Sequence, residues 1–213
     1  MSNSCFLCNQ ICANEIALCH HCQSSLPLVR DSSSGIANNI SVNQPLWDKT
    51  YTFYEYKNSM QLLIRAFKFN HNFVAGKILR YLFYVQLKPY LLQNKYDAII
   101  SMPIHRKRNF RRGFNQSLYF AKYISQSSGI PIDMDCVKRI KNTQYQNKLS
   151  LSERKENIKN AFKVKNSSIY DSVLIIDDVI TTGYSLNELA MTLKKTGVKH
   201  ITISTLSMRL KGD

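Results

Sequence analysis

The chain has 213 residues, of which 44% are hydrophobic and 11% aromatic, and 29 Lys+Arg against 14 Asp+Glu give a net charge of +15. This length and apolar fraction suit one folded domain with a small appendage and exclude a wholly disordered tail protein. No run reaches the roughly 20 uncharged apolar residues of a membrane span, because the most apolar helical stretch, 73–92, contains Lys77, Arg80 and Lys88. The first residues lack the basic-then-apolar order of a secretory leader, so a cytoplasmic protein with no membrane span is expected.

Five of the six cysteines fall in the first 22 residues, as Cys5-x2-Cys8, Cys12 and Cys19-His20-His21-Cys22. In a cytoplasmic chain thiols stay reduced, and paired Cys-x2-Cys knuckles read as zinc ligands. Two intervening residues let a tight turn aim both thiolates at one ion, and a second knuckle completes a tetrahedral four-sulfur shell. Cys5, Cys8, Cys19 and Cys22 are therefore the expected ligands of a structural Zn2+, with Cys12, His20 and His21 as substitutes or bystanders and redox-active thiols as the alternative. So short a module buries little surface, and metal binding is expected to supply its folding energy. Residues 1–26 form this zinc finger. Residues 27–45, rich in Ser and Asn with Pro27, Gly35 and Pro45, show no period and read as a linker. The remainder, 46–213, is the main domain, and Cys136 within it reads as a core residue.

Charge follows the same division. Residues 1–50 carry −1, whereas 51–213 hold 27 Lys+Arg against 11 Asp+Glu. A basic domain predicts polyanionic partners: nucleic acid, phosphorylated metabolites or an anionic membrane face.

Periodicity in the main domain predicts a strand at 51–56, helices at 60–69 and 73–92, a strand at 97–101 and a helix at 115–127. A strand at 173–176, a helix at 186–195 stopped by Gly197, and a strand at 201–206 follow. Strands alternating with helices define an α/β class with a mainly parallel sheet flanked by helices. In such sheets ligands sit beyond the carboxyl ends of the strands.

The segment Val173-Leu-Ile-Ile-Asp177-Asp178-Val-Ile-Thr181-Thr182-Gly183-Tyr184-Ser185 lies at that edge. An uncharged strand ends in two carboxylates, and a small hydroxyl-bearing turn then opens a helix. Backbone N–H groups of residues 181–185, aided by the hydroxyls, form a phosphate cradle. Like charges repel, so the carboxylates serve instead as acceptors for two ribose hydroxyls, directly or with Mg2+ assistance. A ribose 5-phosphate moiety is the inferred ligand.

This segment resembles the phosphoribosyl-pyrophosphate signature of type I phosphoribosyltransferases. The wider pattern resembles the ComF family: the four-cysteine knuckle, then Arg111-Arg112-Gly113-Phe114-Asn115-Gln116, then Gln146-x2-Leu149-Ser150-x2-Glu153-Arg154-x2-Asn157, then the Asp-Asp loop. The resemblance implies the type I phosphoribosyltransferase fold, with Asp177 and Asp178 as catalytic and ribose contacts and Thr181, Thr182, Gly183, Tyr184 and Ser185 as the 5-phosphate loop. It implies a pyrophosphate site formed by Met102, Pro103, Ile104, Arg106, Arg111 and Arg112, with Mg2+ accompanying phosphoribosyl pyrophosphate. Five cations, Arg106, Lys107, Arg108, Arg111 and Arg112, exceed what one pyrophosphate needs, so Lys107, Arg108, Arg111 and Arg112, with Lys148 and Arg154, are candidates for nucleic acid. The aromatics Tyr51, Phe53, Tyr54, Tyr56, Phe67 and Phe69 are either core residues or base-stacking surfaces. The family resemblance further implies a role in natural competence, handling incoming single-stranded DNA at the cytoplasmic side of the inner membrane, next to peripheral membrane or DNA-uptake proteins. The alternative is a metabolic phosphoribosyltransferase that transfers ribose 5-phosphate to a nitrogenous base.

Overall fold

The computed structural model describes residues 3–12, 16–30, 40–142, 156–165 and 170–210. A short antiparallel ribbon, β1 (Asn3–Ser4) and β2 (Ile11–Cys12), precedes a one-turn helix α1 (His20–Ser24). The main domain follows in the order β3 (Lys49–Glu55), α2 (Asn58–Asn70), α3 (Phe73–Gln93), β4 (Ala98–Ser101), α4 (Arg106–Arg112) and α5 (Gln116–Ser128). It continues with β5 (Val137–Arg139), β6 (Phe162–Val164), β7 (Ser172–Ile180), α6 (Tyr184–Lys194) and β8 (His200–Met208). The four strands β3-β8-β7-β4 are parallel throughout, as alternating strands and helices require, and β5-β6 is a separate antiparallel pair.

The uncharged strands are apolar on both faces because helices cover both. Leu174 and Ile176 of β7 join Met60, Phe67, Leu79, Phe83 and Phe120 under α2, α3 and α5. Their alternating neighbours Val173 and Ile175 join Leu186, Leu189 and Leu193 of α6 on the opposite face, and this period of two defines the sheet's two sides.

The structure departs from the sequence expectations in three places, each with a physical cause. β7 runs four residues beyond Ile176, because its ladder with β8 continues through Asp177↔Thr205, Val179↔Ser207 and Ile180↔Met208. The acid pair therefore belongs to the strand rather than to the turn after it. Helix α4 consists mostly of cations and hides its period, and the three-residue strands β5 and β6 are too short to show one. The cysteine module, expected to bury little, shares one core with the sheet: Cys5, Cys22 and Leu26 cluster with Tyr54, Met60 and Leu63. The backbone following it lies along β3, with Val29 N donating to Phe53 O (2.9 Å) and Glu55 N to Pro27 O (2.8 Å). Farther on, Ile40 and Trp47 are buried in the second core, and Ser41 N donates to Thr182 O (3.0 Å).

Candidate anion site and metal-binding module

At the carboxyl edge of the sheet a cavity of about 360 Å³ opens between the ends of β4, β7 and β8. Asp177 and Asp178 lie on its floor, Thr181, Thr182, Gly183 and Ser185 on one wall, and Met102, Pro103, Ile104 and Arg112 on another. Most of the residues expected at the ligand site thus converge. Tyr184 does not line the cavity; its hydroxyl donates to Ser41 O (3.4 Å), tying the loop to the segment before β3. Arg106 lines a neighbouring cavity, and Lys107 and Arg111 line neither, whereas Arg108 does face the acid pair's cavity. Lys148 and Arg154 lie outside the described residues.

The acid pair is asymmetric. Asp177 Oδ1 accepts from Ser117 Oγ (2.7 Å) and Asp178 N (2.9 Å), and Asp178 Oδ2 accepts from Lys68 Nζ (2.7 Å). Burial, reinforced by the Asp178 charge, pushes the Asp177 carboxyl up to about 7. Burial also pushes Asp178 up, but Lys68 and Arg112 outweigh it and hold this carboxyl below its ordinary value. Two carboxylates side by side thus differ in state because one faces the ammonium.

Lys68, Ser117, Arg139 and Arg209 also line the cavity and were not legible as site residues. Lys68 and Ser117 sit on helical faces, where nothing local distinguishes them from solvated neighbours. With Arg108, Arg112, Arg139 and Arg209, Lys68 makes the cavity rim strongly cationic despite the acid pair. Burial and the facing Arg108 push the Arg139 guanidinium down to about 10, which leaves it charged near neutrality.

The Arg-Arg-Gly-Phe-Asn-Gln element has a mechanical basis. Gly113 ends α4 at φ 75°, where a Cβ would be strained, and the chain turns directly into α5. Asn115 caps α5 through Oδ1, accepting from Ser117 N (3.0 Å), while its Nδ2 donates to Met102 O (3.1 Å). One side chain thereby sets both the helix that carries Ser117 and the loop after β4. The peptide bonds of that loop are trans. Phe114 anchors the turn on Phe67, with ring centroids 4.8 Å apart.

The loop after β7 meets the demands of an anion. Gly183, at φ 82°, caps α6, and a Cβ there would lie 3.4 Å from Trp47 and Val42 and 3.5 Å from Ile40. Among the described residues, the buried hydroxyl of the cavity-lining Thr182 has no hydrogen-bond partner. A buried orphan hydroxyl is costly unless a ligand or water satisfies it, and an anionic oxygen at a helix N-terminus does so.

In the N-terminal module, the ligand atoms of Cys5, Cys8, Cys19 and Cys22 all lie within 4.8 Å of one another. The Cys8–Cys19 sulfur separation is 3.7 Å, which matches the edge of about 3.8 Å of a tetrahedron with 2.3 Å metal–sulfur bonds. Backbone N–H groups of Cys19, Cys8 and Leu7 outweigh burial at Cys5 and lower its thiol to about 6, whereas burial and the neighbouring sulfurs push Cys22 up, as crowded thiols do without a cation among them. His20 and His21 are exposed, and Cys12 is buried in the core beside the cluster. The donor set fits a closed structural site that could hold a metal such as zinc.

The aromatic candidates divide by burial. Tyr51, Phe53, Tyr54 and Phe67 are at most 7% exposed, so these four are core residues, the first of the two alternatives, with Phe67 packed against Phe114, Tyr119 and Phe120. Phe69 is 58% exposed and, with Tyr56, lines the cavity.

Parallel sheet, acid pair and hydroxyl-glycine loop define an α/β protein with a cation-lined cavity at the carboxyl edge, joined to a four-cysteine module that could hold a metal. The chain belongs to the competence protein F (ComF) family. It is 35% identical over 191 residues to Competence protein F of Haemophilus influenzae, covering 87% of this chain and 82% of that protein. It is 28% identical over 213 residues to DNA utilization protein YhgH of Salmonella typhimurium, covering 97% and 90% of the two chains. With Competence protein ComFC of Bacillus subtilis it shares 24% identity over 196 residues, or 90% and 72%. No protein-family model matches the chain. Among the described residues, no helix is long and apolar enough to cross a membrane.

Proposed function

We propose that this protein serves natural transformation by handling incoming single-stranded DNA at the cytoplasmic side of the inner membrane, and that its sheet-edge cavity binds phosphoribosyl pyrophosphate. The competence-related role is supported by the names of its relatives. The cavity carries the second part: a carboxylate pair lies beside a loop with an orphan hydroxyl and a glycine-capped helix start, ringed by arginines.

In this reading Asp177 and Asp178 accept the ribose hydroxyls, the 181–185 loop holds the 5-phosphate, and Arg112 and Arg108 neutralise the diphosphate. Ser117 and Lys68 fix the two carboxylates in position. Mg2+, when bound with the ligand beside Asp177 and Asp178, would offset diphosphate charge. Zinc on the four cysteines would be structural, since a closed four-thiolate shell has no open position for substrate.

The test is a thermal shift with phosphoribosyl pyrophosphate and Mg2+, in parallel with titration of labelled single-stranded DNA. A ligand at 100 times its dissociation constant stabilises by about 2.7 kcal/mol, and the Asp177→Ala, Asp178→Ala double variant should lose that shift. No shift in the wild type removes the small-molecule part. Weak DNA affinity with a shallow salt slope removes the DNA part. Pyrophosphate release with a free nitrogenous base would instead mark a metabolic phosphoribosyltransferase.

A further inference from the structure

A second cavity of about 700 Å³ lies on the other side of the Pro103–Ile104 loop from the acid pair, and its lining combines rings with cations. Phe73, 52% exposed, lies 5.6 Å from Phe114 and 6.4 Å from Tyr119 between ring centroids, one open ring backed by two half-buried ones. Exposed Arg106, Lys122 and Lys138, drawn from α4, α5 and β5, stand around it. Arg139 lines both cavities.

The one acid of the lining, Asp133, is committed inward. Its Oδ1 accepts from Asp135 N (2.9 Å) and Cys136 N (2.8 Å), and its Oδ2 from Tyr170 Oη (2.9 Å). Its single charge is outnumbered by the Arg106, Lys122, Lys138 and Arg139 cations of the same lining. Asn115, one of the two amide side chains of the lining, is spent on Ser117 N and Met102 O. On α4, Phe110 is 93% exposed, one residue beyond the lining Asn109 and four beyond Arg106, on the same side of the helix.

We infer that this groove is a single-stranded DNA subsite, in which a base stacks on Phe73 and Tyr119 while flanking phosphates engage Arg106, Lys122 and Lys138. Cations alternating with open rings, and few uncommitted donors or acceptors, suit sequence-tolerant binding of a flexible polyanion rather than readout of one base. The inference rests on the DNA-handling reading above and adds the surface that performs it, distinct from the acid-pair cavity.

The test titrates labelled oligothymidylate, by fluorescence anisotropy across a salt series, against the full chain, Phe73→Ala and the Lys122→Glu, Lys138→Glu double variant. Phe73→Ala should weaken binding about 5- to 150-fold with its salt slope unchanged, as loss of one stacked base predicts. The double variant should weaken it at least tenfold and lower the slope by about 1.4, two phosphate contacts at about 0.7 each. Both should keep the wild-type thermal shift with phosphoribosyl pyrophosphate, which also verifies that they fold. Wild-type affinity and slope in the double variant would overturn the subsite while leaving the DNA reading intact; failure of the wild type to bind the oligonucleotide would remove both. Loss of binding to phosphatidylglycerol vesicles, with DNA affinity preserved, would reassign the groove to lipid.

Discussion

Asp177 and Asp178 are adjacent and chemically identical, yet Ser117 faces one and Lys68 the other. The pH dependence of folding follows from that difference. Asp177, raised to about 7, keeps its proton in the folded protein through a range in which the unfolded chain has released it. Its ionisation therefore costs stability progressively as pH rises from about 4 to about 7, and the full penalty is present above. Asp177→Asn keeps an acceptor for Ser117 and Asp178 N without the charge. It should raise the melting temperature at pH 8 and leave it nearly unchanged at pH 5, measured by calorimetry. Asp178 has the opposite sign, because Lys68 and Arg112 hold it low, and its contribution is lost only as pH falls below the ordinary carboxylate range. Lys68→Met should then lower stability at pH 7 by about 1–3 kcal/mol, less than a fully buried pair, since the Lys68 and Asp178 side chains retain 19% and 13% exposure. The deficit should vanish in acid. An equal deficit at pH 3 and pH 7 would mean that Lys68 acts through packing alone.

At the scale of elements, the joints between helices and loops position the chemistry. Gly76 in α3 is one: a Cβ there would come within 2.6 Å of the Phe67 ring, which itself supports Phe114 and so the turn into α5. Gly76→Ala should cost about 1–3 kcal/mol by overpacking, visible in denaturant midpoints. The cysteine module behaves similarly as part of a larger whole. Because Cys5, Cys22 and Leu26 share a core with β3 and α2, stripping the metal with a strong chelator should lower the melting temperature of the entire protein in one transition. A separate low-temperature transition would show that the module melts alone. Elemental analysis should find one zinc per chain for the single closed site.

Across the whole molecule, the chain before β3 is tied both to the edge of the sheet and to the loop after β7. Residues 27–29 cover the outer edge of β3, and residues 40–47 brace the loop at Thr182–Gly183. A chain beginning at residue 46 would bare a parallel edge strand and the apolar faces of Tyr54 and Met60. It should aggregate on expression, and any soluble fraction should lose the thermal shift with phosphoribosyl pyrophosphate. A stable, ligand-responsive fragment would establish that the preceding segment is a detachable linker.

The sequence by itself determined the α/β class, the four-cysteine cluster and most of the acid-pair cavity, because each is carried by local spacing: knuckles two residues apart, an apolar strand running into carboxylates, a hydroxyl-glycine turn. The charge of +15 was equally visible, with its excess in the main domain. Only the tertiary structure decided which cations serve which surface. Arg106 and Arg112, on one short helix, reach different cavities, and Lys68 arrives at Asp178 from 110 residues away. It also decided that four aromatics are core while Phe73 and Phe110 are open. Composition and period record what a segment buries against itself, whereas the direction of a cation or ring depends on which elements pack beside it.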